Sequence, residues 1–270
     1  MAQFLVYRIA LRPVVSSWGA TEAEVAGAMS GDSIAPYISS TRAITIDGPA
    51  SDVWLWLIQL GADRGGFYSY SALESVFGYT PRETSEIRPE FTDMDVGRVV
   101  RASLNDSADG FDFNFTVLAV DPGKSVVLEN WGTLEVRPIS ESRCRLLART
   151  NGPSSSGAGR FIFESFVAPP HHIMERRMLL GIKARAEAGA GLPLSTASDN
   201  LWLLGLALSA AGIVTLVWLS SGTWWSAVSI VLGAAWLWPL LVLDPIPVYS
   251  LGFLLIVGVV LTWSLRLRKT

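Results

Sequence analysis

The sequence predicts an α+β domain, an antiparallel sheet around a long C-terminal helix, followed by a transmembrane helical region. Three observations predict it. Residues 98–150 read as short strands with alternating polarity, separated by turns. Residues 161–187 read as one long helix with an apolar side. From 201 to 265 the only charged residue is Asp244, a composition suited to lipid rather than to a water-facing surface.

The opening stretch, MAQFLVYRIALRPVV, is apolar in places, but Arg8 and Arg12 interrupt it. It does not read as a secretory signal, and residues 1–39 are taken as an N-terminal segment. Within it, 20–30 predict a short helix capped by Thr21, with Glu24 at the capping-box position. Residues 40–47 alternate Ala43, Thr45 and Asp47 against Ile44 and Ile46, a strand with one buried face, ended by Gly48-Pro49. Residues 50–60 predict a helix capped by Ser51 or Asp52, with Val53, Trp54, Leu57, Ile58 and Leu60 as its apolar stripe. Gly61 stops it. A second short helix is expected over 69–77.

Strands follow over 98–103, 111–120, 125–131, 133–139 and 143–150. In the second, Phe111, Phe113, Phe115 and Val117 share a face. In the last, Arg143, Arg145 and Arg149 mark a wet face, and Cys144, Leu146 and Ala148 a buried one. The loop 151–159 leads to the long helix, whose apolar side carries Phe163, Phe166, Val167, Met174, Met178 and Ile182. Pro169-Pro170 predicts a break, with regular helix from His171 on. Residues 188–200 are a linker.

The tail contains three apolar runs, 201–219, 224–243 and 248–265, separated by SSGT and DPIP. Each approaches the roughly 20 residues that a bilayer-spanning helix needs. Trp202, Trp218, Trp224, Trp225, Tyr249 and Trp263 lie near run ends, as an interfacial aromatic belt would. Three transmembrane helices within 201–265 are expected, then a basic tail, 266–270. A conflict accompanies this count. Lys183 and Arg185 precede the spans, while Arg266, Arg268 and Lys269 follow them. Positive charge favours the cytoplasm at both ends, but three crossings put the ends on opposite sides. The middle run, with four Trp residues and Pro239, is the weakest spanner. The expectation is a multi-pass membrane protein with a cytoplasmic soluble domain.

Residues 1–200 hold 18 of the 21 basic and 23 of the 24 acidic side chains. A mildly acidic domain without a basic stripe argues against a nucleic-acid partner. One cysteine, Cys144, excludes a disulfide framework and a Cys-based metal site. There is no GxSxG elbow, Walker loop or GxGxxG turn, so no cofactor and no catalytic set is assigned. His171-His172 are the only histidines. With Glu175 they fall short of a metal-ligand set, and a solvent-facing helix start accounts for them.

The segments WGATEAEV (18–25), STRAITIDGPASDVWLWLIQLGADRGGFYSYSALE (40–74) and MERRMLLGIKARAE (174–187) resemble bacterial SRPBCC proteins of the START/Bet v 1-like superfamily, many of them polyketide cyclase/dehydrase-like. The resemblance covers about 15–187, and its specific part is 40–74. It implies a helix-grip domain over 40–187, with a hydrophobic pocket beneath the C-terminal helix. It implies no shared catalytic constellation, so fold transfers better than function. The three spans are an addition to that pattern.

Candidate pocket residues are Trp54, Phe113, Phe115, Trp131, Met174 and Met178, with Tyr70 or Glu74 as a polar group. Each has a plainer alternative. Aromatic strands commonly fill a core, and Met is an adaptable filler. Gly65-Gly66 makes a turn, Tyr68 and Tyr70 turn their hydroxyls outward, and Glu74 pairs with Arg64. The functional expectation is a membrane-anchored binding module for a small hydrophobic or amphipathic ligand, lipid-like or polyketide-like. The alternatives are a cyclase or aromatase using pocket Tyr and Glu groups, and a structural or regulatory membrane protein with a vestigial pocket.

Overall fold

The computed structural model describes residues 2–34, 37–104, 114–153, 156–189, 196–219 and 223–267. The chain divides into two compact units, Ser16–Leu194 and Met1–Val15 with Ser195–Thr270. The segment 1–39 is thus shared between them. It opens with α1 (Ala2–Val6), a π-helical turn (Tyr7–Leu11) and α2 (Arg12–Ser16). Val6 and Arg12 keep right-handed helical dihedrals, so the three pieces form one continuous helical run.

The unit Ser16–Leu194 begins with α3 (Glu22–Ala26). Its capping box is formed: Glu24 N–H donates to Thr21 Oγ1 at 3.2 Å, and Thr21 N–H donates to Glu24 Oε2 at 2.8 Å. Then come β1 (Ile38–Ile46), α4 (Ala50–Leu57) and α5 (Ser71–Val76). Five strands follow: β2 (Val99–Val100), β3 (Phe115–Asp121), β4 (Ser125–Leu128), β5 (Gly132–Ser140) and β6 (Arg143–Asn151). Last are α6 (Ala158–Ile162), a π-helical turn (Phe163–Val167) and α7 (Ala168–Ala188). The strands form one six-stranded antiparallel sheet in the order β1-β6-β5-β4-β3-β2. The long helix packs on it: Met178, Leu179 and Ile182 share a core with Ile46, Leu134, Cys144, Leu146 and Ala148.

Three sequence expectations are corrected. Pro169-Pro170 does not break the helix, and α7 runs regularly from Ala168. Proline in a first turn removes N–H groups that have no intrahelical partner anyway. The arginine face of β6 is wet only at Arg143, which is exposed beside Asp47. Arg149 is buried and donates to the Glu24, Val25 and Gly27 carbonyls at 2.9, 3.1 and 2.9 Å, and to Asp32 at 2.7 Å. Arg145 grips the Glu24 carboxylate with two nitrogens, at 2.9 and 2.7 Å. The segment around α3 therefore covers the sheet's outer face, with Met29 packed on Ala43 and Leu147. In α4 the buried stripe is Val53, Trp56 and Leu57, spaced i, i+3, i+4, and Trp54 falls beside it, partly buried.

In the other unit, α8 (Ala197–Leu219), α9 (Thr223–Leu241) and α10 (Pro247–Leu267) are long and apolar. All three are long and apolar enough to cross a membrane, with mean hydropathy 2.1, 1.5 and 2.1 over their span regions. Small residues let α8 and α10 approach closely. A Cβ on Gly205 would lie 2.5 Å from Ser250 Oγ, and one on Gly212 would lie 2.6 Å from Val257 Cγ1. Residue numbers rise together along both helices, so α8 and α10 run parallel. The α9 helix runs back between them in sequence: Trp236 Nε1 donates to the Leu206 carbonyl at 3.0 Å, while Trp225 meets Trp263 edge-on.

Candidate functional site

A cavity of about 310 Å³ lies between the N-terminal half of α7, the turn before it, the sheet and the segment 67–79. Its walls are aromatic and aliphatic. Phe115 of β3 and Trp131 of the β4–β5 turn lie 5.0 Å apart, centroid to centroid. Phe67 stands against both, at 6.3 and 6.1 Å, and Tyr79 at 5.5 Å from Phe67. Met174 and Met178 of α7 form the facing wall. Asn130, at φ 60°, makes the tight turn that turns Trp131 back into the sheet. Phe77, Phe166 and Val167 line the cavity yet are 43%, 63% and 46% exposed, which marks its mouth.

One end of this apolar space is polar. Glu175 of α7 is fully buried there. Arg42 Nη1, from β1, donates to its Oε1 at 2.6 Å. Trp131 Nε1 and Thr150 Oγ1 donate to its Oε2 at 3.0 and 2.9 Å. His171, one helical turn earlier on α7, places Nδ1 3.8 Å from the same oxygen and sets its ring edge-on to Trp131. Burial alone would raise the Glu175 carboxyl. The Arg42 charge, then His171, and the bonds from Arg42 and Trp131 outweigh it and hold the group below the usual carboxylate range. The His171 pKa is lowered too, which for a base favours the neutral form. Desolvation lowers its pKa, Glu175 opposes this, and Arg42 adds to it, so the imidazole is neutral at physiological pH. The polar end thus presents a neutral ring and a carboxylate whose charge is already matched.

Of the residues singled out from sequence, Phe115, Trp131, Met174 and Met178 line this cavity, and Phe113 lies outside the described residues. Trp54, Tyr70 and Glu74 are placed elsewhere. Trp54 packs against the core. Tyr70 is buried, with the Arg177 guanidinium 5.9 Å from its ring centroid. Glu74 is fully buried, and among the described residues no side-chain hydrogen bond reaches its oxygens. Burial first, and the nearby Glu83 second, push its pKa up to about 7 against the Ser69 backbone, Arg177 and Arg185. It does not pair with Arg64, which binds Asp93 at 2.8 Å. Nor does Tyr68 face outward: its hydroxyl donates to the Trp56 carbonyl at 3.1 Å inside the core.

Sequence reasoning missed Glu175, His171, Thr150 and Arg42 as one group. The i, i+4 spacing of His171 and Glu175 was visible, but the two strands that complete the set were not. Among the described residues no group of three or more His, Cys, Asp or Glu side chains is placed to hold a metal. The chain matches no known protein family, no curated protein and no solved structure.

Proposed function

We propose that the chain is a membrane-anchored binding module for a small, neutral, amphipathic ligand. The cavity of about 310 Å³ carries this reading. Its size falls at the lower end of small-molecule pockets, roughly 300–1,000 Å³, and its lining follows the same pattern of apolar walls with a few convergent polar groups. The Phe, Trp and Met walls suit an apolar body. His171, Thr150 and Asn130 suit a hydroxyl or carbonyl. A ligand carboxylate would meet the Glu175 carboxylate behind His171, and the Arg42 guanidinium is already engaged with Glu175 at 2.6 Å. A neutral head group therefore fits best.

The resemblance of 18–25, 40–74 and 174–187 to SRPBCC proteins supports a helix-grip reading of the sheet and α7, in which the ligand lies under the long helix. The three apolar helices would hold the domain, on the cytoplasmic side, at the bilayer in which such ligands dissolve. A second reading, an acid–base enzyme, is favoured by one observation: His171 lies beside Glu175 at the cavity's polar end. It would use that pair rather than Tyr70 and Glu74.

The test is native mass spectrometry of the full chain in detergent, followed by displacement of a hydrophobic fluorescent probe. Long-chain alcohols should displace the probe better than carboxylates of the same length. Met178→Trp, which fills the cavity, should abolish probe binding, while Trp54→Phe should leave it intact. Equal binding by wild type and Met178→Trp would overturn the reading.

A further inference from the structure

The helical run 2–16 is apolar on two sides. One stripe, Tyr7, Leu11 and Val15, recurs every four residues and is buried. Val6, Ala10 and Leu11 share an apolar groove of about 690 Å³ with Trp238 and Pro239 of α9 and Phe253 of α10. Contact with α9 is close at its start as well: a Cβ on Gly233 would lie 2.5 Å from Gln3 Nε2. The opposite side is also apolar. Leu5 and Ile9 are 48% and 75% exposed. On a helical wheel at 100° per residue, Arg8 and Arg12 fall on one narrow edge between the two faces.

A helix with this distribution, packed on water-soluble neighbours, would leave a large apolar strip in water. Its neighbours are instead α9 and α10, two of the three helices apolar enough to cross a membrane. The exposed strip therefore continues a lipid-facing surface. Length decides how the run is placed. Fifteen residues at 1.5 Å each reach only about 22 Å, short of the roughly 30 Å hydrocarbon core.

We propose that residues 2–16 form a short membrane helix that lies along α9 without crossing the bilayer, with Leu5 and Ile9 among lipid acyl chains. This rests on the membrane reading of α8–α10 but is separate from the ligand cavity. The occupant of the exposed strip is lipid, not water and not a second copy of the chain.

The test uses the full chain with Ile9→Cys, labelled with a small environment-sensitive fluorophore and reconstituted in phosphatidylglycerol-containing nanodiscs. Cys144 is buried and should stay unlabelled. A second sample labelled at Val217→Cys, on α8, reports whether the spans themselves are in lipid. Spin-labelled lipids should quench the Ile9→Cys label, and aqueous iodide should not. Quenching by iodide would overturn the proposal, and so would protection from both quenchers, which would mean a protein partner covers the strip. If only the Val217→Cys label is in lipid, the proposal for 2–16 fails while the membrane reading stands.

Discussion

At the scale of single residues, two buried carboxylates have opposite fates because their surroundings differ. Glu175 is ringed by donors, with Arg42 at 2.6 Å, Trp131 at 3.0 Å and Thr150 at 2.9 Å. Removing one partner of such a pair leaves an uncompensated buried charge, at a cost of about 3–5 kcal/mol. Arg42→Met should lower unfolding stability by that order, read from tryptophan fluorescence in denaturant, whereas the double change Arg42→Met/Glu175→Leu should recover much of it. Failure of the double change to recover stability would mean the pair is not what the single change disrupts. Glu74 has no such ring, and its pKa is pushed up to about 7 by burial and Glu83. Its unfolded value is near 4.3. The unfolded chain therefore releases this proton first as pH rises, and stability falls between about pH 4.5 and 7. The loss is on the order of 3 kcal/mol, complete above pH 7. Glu74→Gln should remove that slope and stabilise the protein at pH 8, measured as Tm against pH. A wild-type Tm that is flat or rising across this range would contradict the assignment.

At the scale of elements, the most revealing piece is the cover that α3 places over the sheet. Arg149 collects the Glu24, Val25 and Gly27 carbonyls, groups that a helix C-terminus leaves without intrahelical partners. Arg149→Met keeps the stem but loses every one of these bonds. It should detach α3, seen as faster amide hydrogen exchange over 21–32, with the cavity-side strands unaffected. Uniform exchange across the whole sheet would mean the cover is integral to the fold. This element also shows where the sequence was legible. The capping box at Thr21 and Glu24 is a local signal, and so is the period-2 alternation of β6; both were readable. What the outer face of β6 meets is a contact across more than 100 residues, between Arg149 and the segment 24–32, and alternation alone cannot distinguish water from a polar protein cover. The same limit explains the site. Phe115, Trp131, Met174 and Met178 could be placed because strand and helix periodicity aims them inward. Arg42, Thr150 and Glu175 come from three elements, and their meeting depends on the β1-β6 pairing. Trp54 was misplaced by a single step of the helical wheel, since Val53, Trp56 and Leu57 make the tighter stripe.

At the scale of the whole molecule, the proposed three-span topology can be weighed against how the apolar helices pair. By sequence, α9 is the weakest spanner, with Pro239 inside it and the lowest hydropathy, 1.5. Were it an interfacial or re-entrant segment, α8 and α10 would enter and leave the bilayer as an antiparallel pair. They run parallel instead: Gly205 faces Ser250 and Gly212 faces Val257, in the same order along both chains. If α8 and α10 both cross the bilayer, a parallel pair needs a return crossing between its members, and α9, running back from Trp225 near Trp263 to Trp236 near Leu206, would supply it. Helix packing in lipid depends on such close small-residue contacts, so Gly205→Leu should separate α8 from α10 and lower the detergent-solubilised Tm. Three crossings with the domain inside put loop 220–223 and Thr270 on the outer face. The charge bias of Arg266, Arg268 and Lys269 opposes this, but each charge near a span end is a modest bias, whereas losing α9 from the bundle would expose the Trp236–Leu206 bond and the α8 and α10 faces it covers. Reporter fusions after Thr270 and within 220–223 should both report an extracytoplasmic position. A cytoplasmic Thr270 with an outer loop would leave two crossings and contradict the parallel pairing, and a cytoplasmic loop 220–223 would place the soluble domain outside.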